Sequence, residues 1–298
     1  MKIKQIHLLL IIVLLCTACQ PRNSSQGSSS SDSREVAYIE NKGSDTMVNL
    51  ALAWAERYQE LYSEIRVSVT GGGSGTGLAS LTNGTVDIAN ASRSIKTEEI
   101  ELAEKNGFTP FEQAVARDAI AVIVNPQNPV NELTLHQISQ IYLGEITNWQ
   151  EVGGEDRPIV RLSRETNSGT HVYFLEAVVR MGDKNDTRIF NAETLLLPSS
   201  EGIISEVRDN PNAIGYDGLG YVIPEVKTIG ISIGEGEPYV QPSAETVSDG
   251  SYPISRELFM YLHDEPYGIY KDYLDWILSA EGQSIVTELG FVPVLAGE

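Results

Sequence analysis

Arg164, Ser168, Gly169 and Thr170 stand close together in the stretch SRETNSGTHVYFLEAVVRM. A guanidinium, two hydroxyls and a glycine at that spacing suit the capture of an oxyanion. Arginine meets an oxyanion with two parallel N–H donors, hydroxyls add further donors, and glycine lets the backbone come close. The residues that follow, Val172, Leu175, Val178 and Val179, recur at helical spacing, so a helix is expected here with Asn167 or Ser168 as its N-cap. The first turn of a helix has N–H groups without intrahelical partners, and with the helix dipole they favour a bound anion. The bland alternative is that Ser168 only caps a helix while Arg164 sits in water.

The same kind of turn occurs twice earlier. Gly43, Ser44, Asp45, Thr46 and Met47 open a predicted helix whose Leu50, Trp54, Tyr58 and Leu61 share a face. Ile65 to Thr70 alternates as a strand, and the glycine-rich run from Gly71 to Gly77, with Ser74 inside it, leads into a short helix carrying Leu78 and Leu81. That run lacks the Gly-Lys-Ser/Thr ending of a nucleotide loop and is too short for a dinucleotide fingerprint. Ile88 to Arg93 reads as a strand that delivers Arg93 at its end. Val115 to Asn125 is an apolar run interrupted by Arg117 and Asp118, as expected of a buried strand crossing a polar site.

The elements that must position these groups continue in order. Leu133 to Trp149 reads as a helix and turn, Pro158 to Ser163 as a strand, and Ser205 to Tyr221 as a turn and strand. Short strands follow to Ser251, Ser251 to Leu262 is a long apolar strand, and Tyr270 to Leu289 is one amphipathic helix. Strands alternating with helices predict α/β layers with partly parallel sheets, in which ligands bind beyond the carboxyl ends of the strands.

Met1 to Ala18 has Lys2 and Lys4 before a leucine and isoleucine run too short to span a bilayer, so it is expected to be an export signal. Cys16-Thr17-Ala18-Cys19 looks like a bacterial lipobox with Cys16 where leucine is usual, which makes Cys19 the expected lipidation site. Residues 19–35 are serine-rich with almost nothing to bury, a flexible leash with a reach of roughly 20 Å. Cys16 and Cys19 are the only cysteines, so the folded part has neither a disulfide nor a cysteine metal site. Loss of the signal takes the formal charge from −20 to −22, because two lysines leave and no acid does. With no lysine- or arginine-rich block, nucleic acid is excluded as a partner. An enzyme is poorly supported: His136, His171 and His263 are scattered, Ser74 lacks a Gly-x-Ser-x-Gly elbow, and no His-Glu-x-x-His pattern occurs.

GSDTM, TGGGSGTG, DIANASR, LTLHQISQIYLGEITNW, SRETNSGTHVYF, AIGYDGLGY and YPISRELFMYL occur in the order found in one family. Over nearly all of its mature length the chain resembles the phosphate-binding protein of bacterial high-affinity phosphate ABC transporters, the PstS family. The resemblance implies an α/β, two-lobed periplasmic-binding-protein-like fold (type II) with two crossing strands, here Val115 to Asn125 and Ser251 to Leu262. One lobe would hold residues 36–118 plus 252–298 and the other residues 119–251. It implies a lipid-anchored, extracytoplasmic monomer that captures inorganic phosphate for a separate permease and ATPase, with no cofactor and no metal. Rival readings are a receptor for sulfate, molybdate or tungstate, a phosphatase-like enzyme, and a sensor or adhesin on the same fold.

Carried over by motif, the ligand set is Thr46 and Met47, with Ser44 as an alternative, then Ser74, Arg164, Ser168, Gly169 and Thr170. Arg93, expected with Arg164 among the phosphate ligands, stands where the best-known members carry an aspartate that accepts the phosphate's proton and braces the arginine. The acceptor is then expected at Asp118 or Asp45, with Asp118 favoured and its pKa expected to be lowered by converging arginines. The alternative for Asp118 is a simple ion pair with Arg93 or Arg117.

Overall fold

The computed structural model of the protein describes residues 36–294. The expected signal, the lipidation at Cys19 and the leash lie outside the described residues.

The chain opens with strand β1 (Ala37–Gly43), helix α1 (Asp45–Leu61), β2 (Ile65–Thr70), α2 (Ser74–Thr82), β3 (Ile88–Ala91) and α3 (Thr97–Lys105). Leu50, Trp54 and Tyr58 of α1 are buried as their spacing requires, whereas Leu61, expected on the same face, is exposed in the last turn. Gly43 sits under the carbonyl of Asn90 at φ 148°, where a β-carbon would meet that oxygen at 2.1 Å. Only glycine allows the turn from β1 into α1 there.

β4 (Phe111–Val124) follows, then β5 (Glu132–Thr134), α4 (Leu135–Leu143), β6 (Val160–Arg164), α5 (Gly169–Phe174), β7 (Leu195–Leu197), α6 (Ser200–Asp209) and β8 (Ala213–Gly218). α5 continues as a π turn over Leu175–Val179, and Ser168 is its cap, accepting from Thr170 N at 3.2 Å. α6 corrects the expectation of a turn: Ser199 caps it, and Ile203, Ile204 and Val207 form its buried face. The chain closes with β9 (Lys227–Thr228), β10 (Gly230–Ser232), α7 (Ala244–Ser248), β11 (Ser255–Leu262), α8 (Gly268–Ile277) and α9 (Ala280–Glu288). The single terminal helix expected from Tyr270 to Leu289 is thus two, because Ser279 accepts from Gly282 N and starts a new N-terminus.

The main sheet runs β2-β1-β3-β11-β4-β8-β6-β7, with β9 also on β4. β1 pairs in parallel with β2 and β3, and β6 with β7 and β8, so each end of the sheet is parallel. The antiparallel β4 and β11 join the two ends. Packing divides at these strands. Val115 and Ala116 of β4 join the core under α1, α8 and α9, whereas Ala119, Ile120, Val122 and Val124 join the core around α4 and α5. The same change occurs between Ile254 and Leu258 and between Phe291 and Val292. Val292 and Arg117 exchange backbone hydrogen bonds of 2.9 and 2.7 Å, so the C-terminal segment braces β4 at the point of crossing.

Candidate functional site

The starts of α1, α2 and α5 meet beside this crossing, and their hydroxyls touch. Thr46 Oγ1 lies 2.8 Å from Thr170 Oγ1, so a side chain from one packing core meets one from the other. Ser44 Oγ donates to Ser92 Oγ at 2.9 Å, Ser74 Oγ lies 3.2 Å from Ser92 Oγ, and Ser92 N donates to Ser74 Oγ at 3.0 Å. A β-carbon on Gly169 would stand 2.4 Å from Ser74 Oγ and 2.5 Å from Ser92 Oγ, so this contact requires glycine. At the rim Gly75 N donates to Asn167 O at 3.0 Å, and Asn167 Nδ2 donates to Gly72 O at 2.9 Å. The Met47 side chain lies in the core under α1, leaving only its backbone on the site side, and that N–H donates to Ser44 O at 3.1 Å.

Two buried arginines carry the charge. Arg164 donates to Asp45 Oδ2 at 2.6 Å, Ser200 Oγ at 2.7 Å, Pro198 O at 3.0 Å and Asp217 Oδ2 at 3.4 Å. Asp217 is held in turn by Ser200 Oγ at 3.0 Å and Gly218 N at 2.8 Å. Arg256 of β11 donates to Ser92 O at 2.7 Å, Thr170 Oγ1 at 2.9 Å, Asp118 Oδ2 at 3.1 Å and Thr46 Oγ1 at 3.4 Å. The Nε atoms of Arg164 and Arg256 are buried without a hydrogen-bond partner. Orphaned donors of that kind are costly and mark a place where an acceptor belongs.

Asp118 is completely buried, and its other oxygen accepts from Leu219 N at 3.2 Å. The structure corrects both earlier expectations for it. Its ion-pair partner is Arg256, not Arg93 or Arg117, and its pKa is raised to about 6 because burial outweighs the pull of Arg256, with Asp217 adding to the rise. Burial raises Asp217 as well, against Arg164.

Arg93 also departs from expectation. Its terminal nitrogens are bound to Glu99 at 2.8 and 2.7 Å and to Ser94 O at 2.9 Å, and among the described residues it makes no hydrogen bond to the hydroxyl cluster. The strand end delivers Ser92 to the cluster instead. His171 packs: its Nδ1 lies 2.9 Å from Arg164 O and 3.0 Å from Ser163 Oγ, and burial lowers its pKa. Arg256, Ser92, Ser200 and Asp217 are the site residues that the sequence reading did not single out. A charge inside the apolar YPISRELFMYL run was the available signal for Arg256, the same signal that marked Asp118.

Two packing cores joined at crossing strands, with polar helix starts and buried arginines between them, define a two-lobed solute-binding protein. A family model described as the PBP superfamily domain matches residues 28–281. The phosphate-binding protein PstS of Pseudomonas aeruginosa is 32% identical over 271 residues, covering 85% of this chain and 82% of that protein. PstS of Bacillus subtilis is 30% identical, covering 99% and 95%. A solved Clostridium perfringens structure with bound phosphate, assigned as a phosphate ABC transporter substrate-binding protein, is 33% identical with a TM-score of 0.77, covering 87% of this chain and all of that one. An ABC-type phosphate transport receptor from Vibrio cholerae is 28% identical with a TM-score of 0.69, covering 86% of this chain. The chain belongs to the PstS family of phosphate-binding proteins, within the PBP superfamily.

Proposed function

We propose that the protein captures inorganic phosphate between its lobes and delivers it to an ABC permease that works with an ATPase, both on separate chains. The observation that carries this reading is the meeting of Thr46 and Thr170 from opposite cores, with Arg164, 1% exposed, bound to Asp45 next in the chain to Thr46. Such a dry, donor-rich cleft suits a small, strongly hydrated anion whose water must be replaced by fixed hydrogen bonds. In this reading Arg164, Ser168, Gly169 and Thr170 act from the lobe of residues 119–251. Ser44, Thr46, the Met47 backbone and Ser74 act from the lobe of residues 36–118 plus 252–298. Arg93 stands behind this shell, fixing the strand end through Glu99. Asp118 is the acceptor for the phosphate's proton.

Calorimetry on the chain from Ser33 onward tests the reading. Tight phosphate binding with a weaker response to sulfate, by a species that sediments as a monomer and leaves a generic phosphate ester intact, is the expected result. Sulfate bound as tightly as phosphate would overturn the choice of anion, and ester hydrolysis would overturn the receptor.

The expected lipid on Cys19 would hold this receptor at the outer face of the cell membrane by a leash of residues 19–35. Among the described residues no helix is long and apolar enough to cross a membrane. Cys19→Ala should move the protein from the membrane fraction to the soluble fraction, and a variant that stays with the membrane rules out the lipid as its anchor.

A further inference from the structure

We propose that Arg256 is a second phosphate-binding guanidinium, acting with Arg164 and held ready by Asp118; this rests on the phosphate reading above. Arg256 comes from the crossing strand β11, yet its Nη2 donates to Thr170 Oγ1 and lies within hydrogen-bond distance of Thr46 Oγ1. These are the two hydroxyls that meet from opposite lobes. An oxyanion taking hydrogen bonds from both therefore lies within reach of the same guanidinium.

The charge balance points the same way. Arg164 is already matched by two carboxylates, Asp45 and Asp217, so alone it offers an incoming anion no surplus of positive charge. Arg256 faces a single carboxylate, Asp118 at 3.1 Å. That carboxylate is fully buried. The Nε of Arg256 is buried without a partner, and its guanidinium carbon lies 5.6 Å from the centre of the Tyr173 ring, which shields it from water. A neutral Arg256–Asp118 pair repels an incoming anion less than Arg164 with its two carboxylates, and the orphaned Nε is stabilised by an acceptor that takes it. Tyr173 is fixed by its hydroxyl, which donates to Ser255 O at 2.5 Å, so the guanidinium is aimed in advance.

The rival role for Arg256 is to brace the strand crossing through Ser92 O, and the test separates the two. Arg256→Gln alone leaves Asp118 buried without its cation, so the substitution is made on the Asp118→Asn background, where the Gln–Asn pair is neutral. Phosphate affinity is measured by calorimetry and the ligand-free melting temperature by scanning calorimetry. The expected result is a further loss of affinity of at least about 100-fold relative to Asp118→Asn alone, at an unchanged or higher melting temperature. Arg256→Lys, which keeps the charge and loses the fork, is expected to recover only part of that loss. A double variant that binds phosphate within about threefold of Asp118→Asn overturns the inference, as does one whose affinity falls only in step with its melting temperature. A parent protein that does not bind phosphate overturns the functional reading instead.

Discussion

Arg164→Ala is expected to lower phosphate affinity by at least about 100-fold, because a desolvated anion loses a buried guanidinium whose Nε is left without another partner. The same change is expected to cost about 3–5 kcal/mol of folding stability, the usual result of breaking a buried ion pair from one side. The reason lies in Asp217, which is fully buried and has Arg164 as its ion-pair partner, at 3.4 Å. Asp45 also loses its 2.6 Å partner, but it is partly open to solvent and suffers less. The two losses are separable. Arg164→Ala with Asp217→Asn should regain most of the stability, measured by chemical denaturation, while phosphate affinity stays low. A single Arg164→Ala variant whose affinity lies within a few-fold of the parent would place Arg164 outside the ligand shell.

What was legible in the sequence was mostly local. The turns before α1, α2 and α5 announce themselves because a capping serine, a glycine and an apolar helical period are neighbours in the chain. The turns that carry Ser44, Thr46, Ser74 and Thr170 were therefore legible, the resemblance implied their place in one site, and Thr46 meets Thr170 while Ser44 and Ser74 meet at Ser92. The errors came where a partner is distant or a second element intervenes. At Arg93 the missed feature is a partner: the unread helix α3 brings Glu99 against its terminal nitrogens, while its Nε stays buried without one. Arg256 sits 92 residues beyond Arg164, and nothing local says that β11 carries it to Thr46, Thr170 and Asp118. The direction of the Asp118 pKa was misjudged for a related reason. Nearby arginines can be counted in a sequence, but the cost of complete burial is a property of packing, and here it is the larger effect.

Asp118→Asn is expected to narrow the preference for phosphate over sulfate and to remove the dependence of that preference on pH. At neutral pH phosphate carries at least one proton and sulfate carries none, so an ionised carboxylate beside the ligand accepts from one and repels the other. With a folded pKa of about 6, Asp118 is mainly ionised at pH 7.5 and protonated below 6, where it becomes a donor that sulfate can use. Discrimination by the parent should therefore fall as pH drops from 7.5 to 5, whereas the asparagine variant, always a donor, should be poorly selective throughout. Stability carries the matching sign. Because the folded pKa lies above the ordinary value of 3.8, the folded protein binds a proton between about pH 6 and 4 that the unfolded chain does not. The ionised group thus costs roughly 3 kcal/mol above pH 6, and the cost disappears as pH falls toward 4. Asp118→Asn removes this gain on acidification, so the ligand-free variant should show a smaller rise, or a steeper fall, in melting temperature from pH 7 to 5 than the parent. Its absolute stability is set by a second effect, the loss of the Arg256 partner, so the slope and not the level is the informative quantity. Sulfate discrimination that holds constant from pH 7.5 to 5 in the parent would remove Asp118 from the acceptor role. Discrimination that survives Asp118→Asn and collapses with Asp45→Asn would move that role to the start of α1, where Asp45 already holds Arg164.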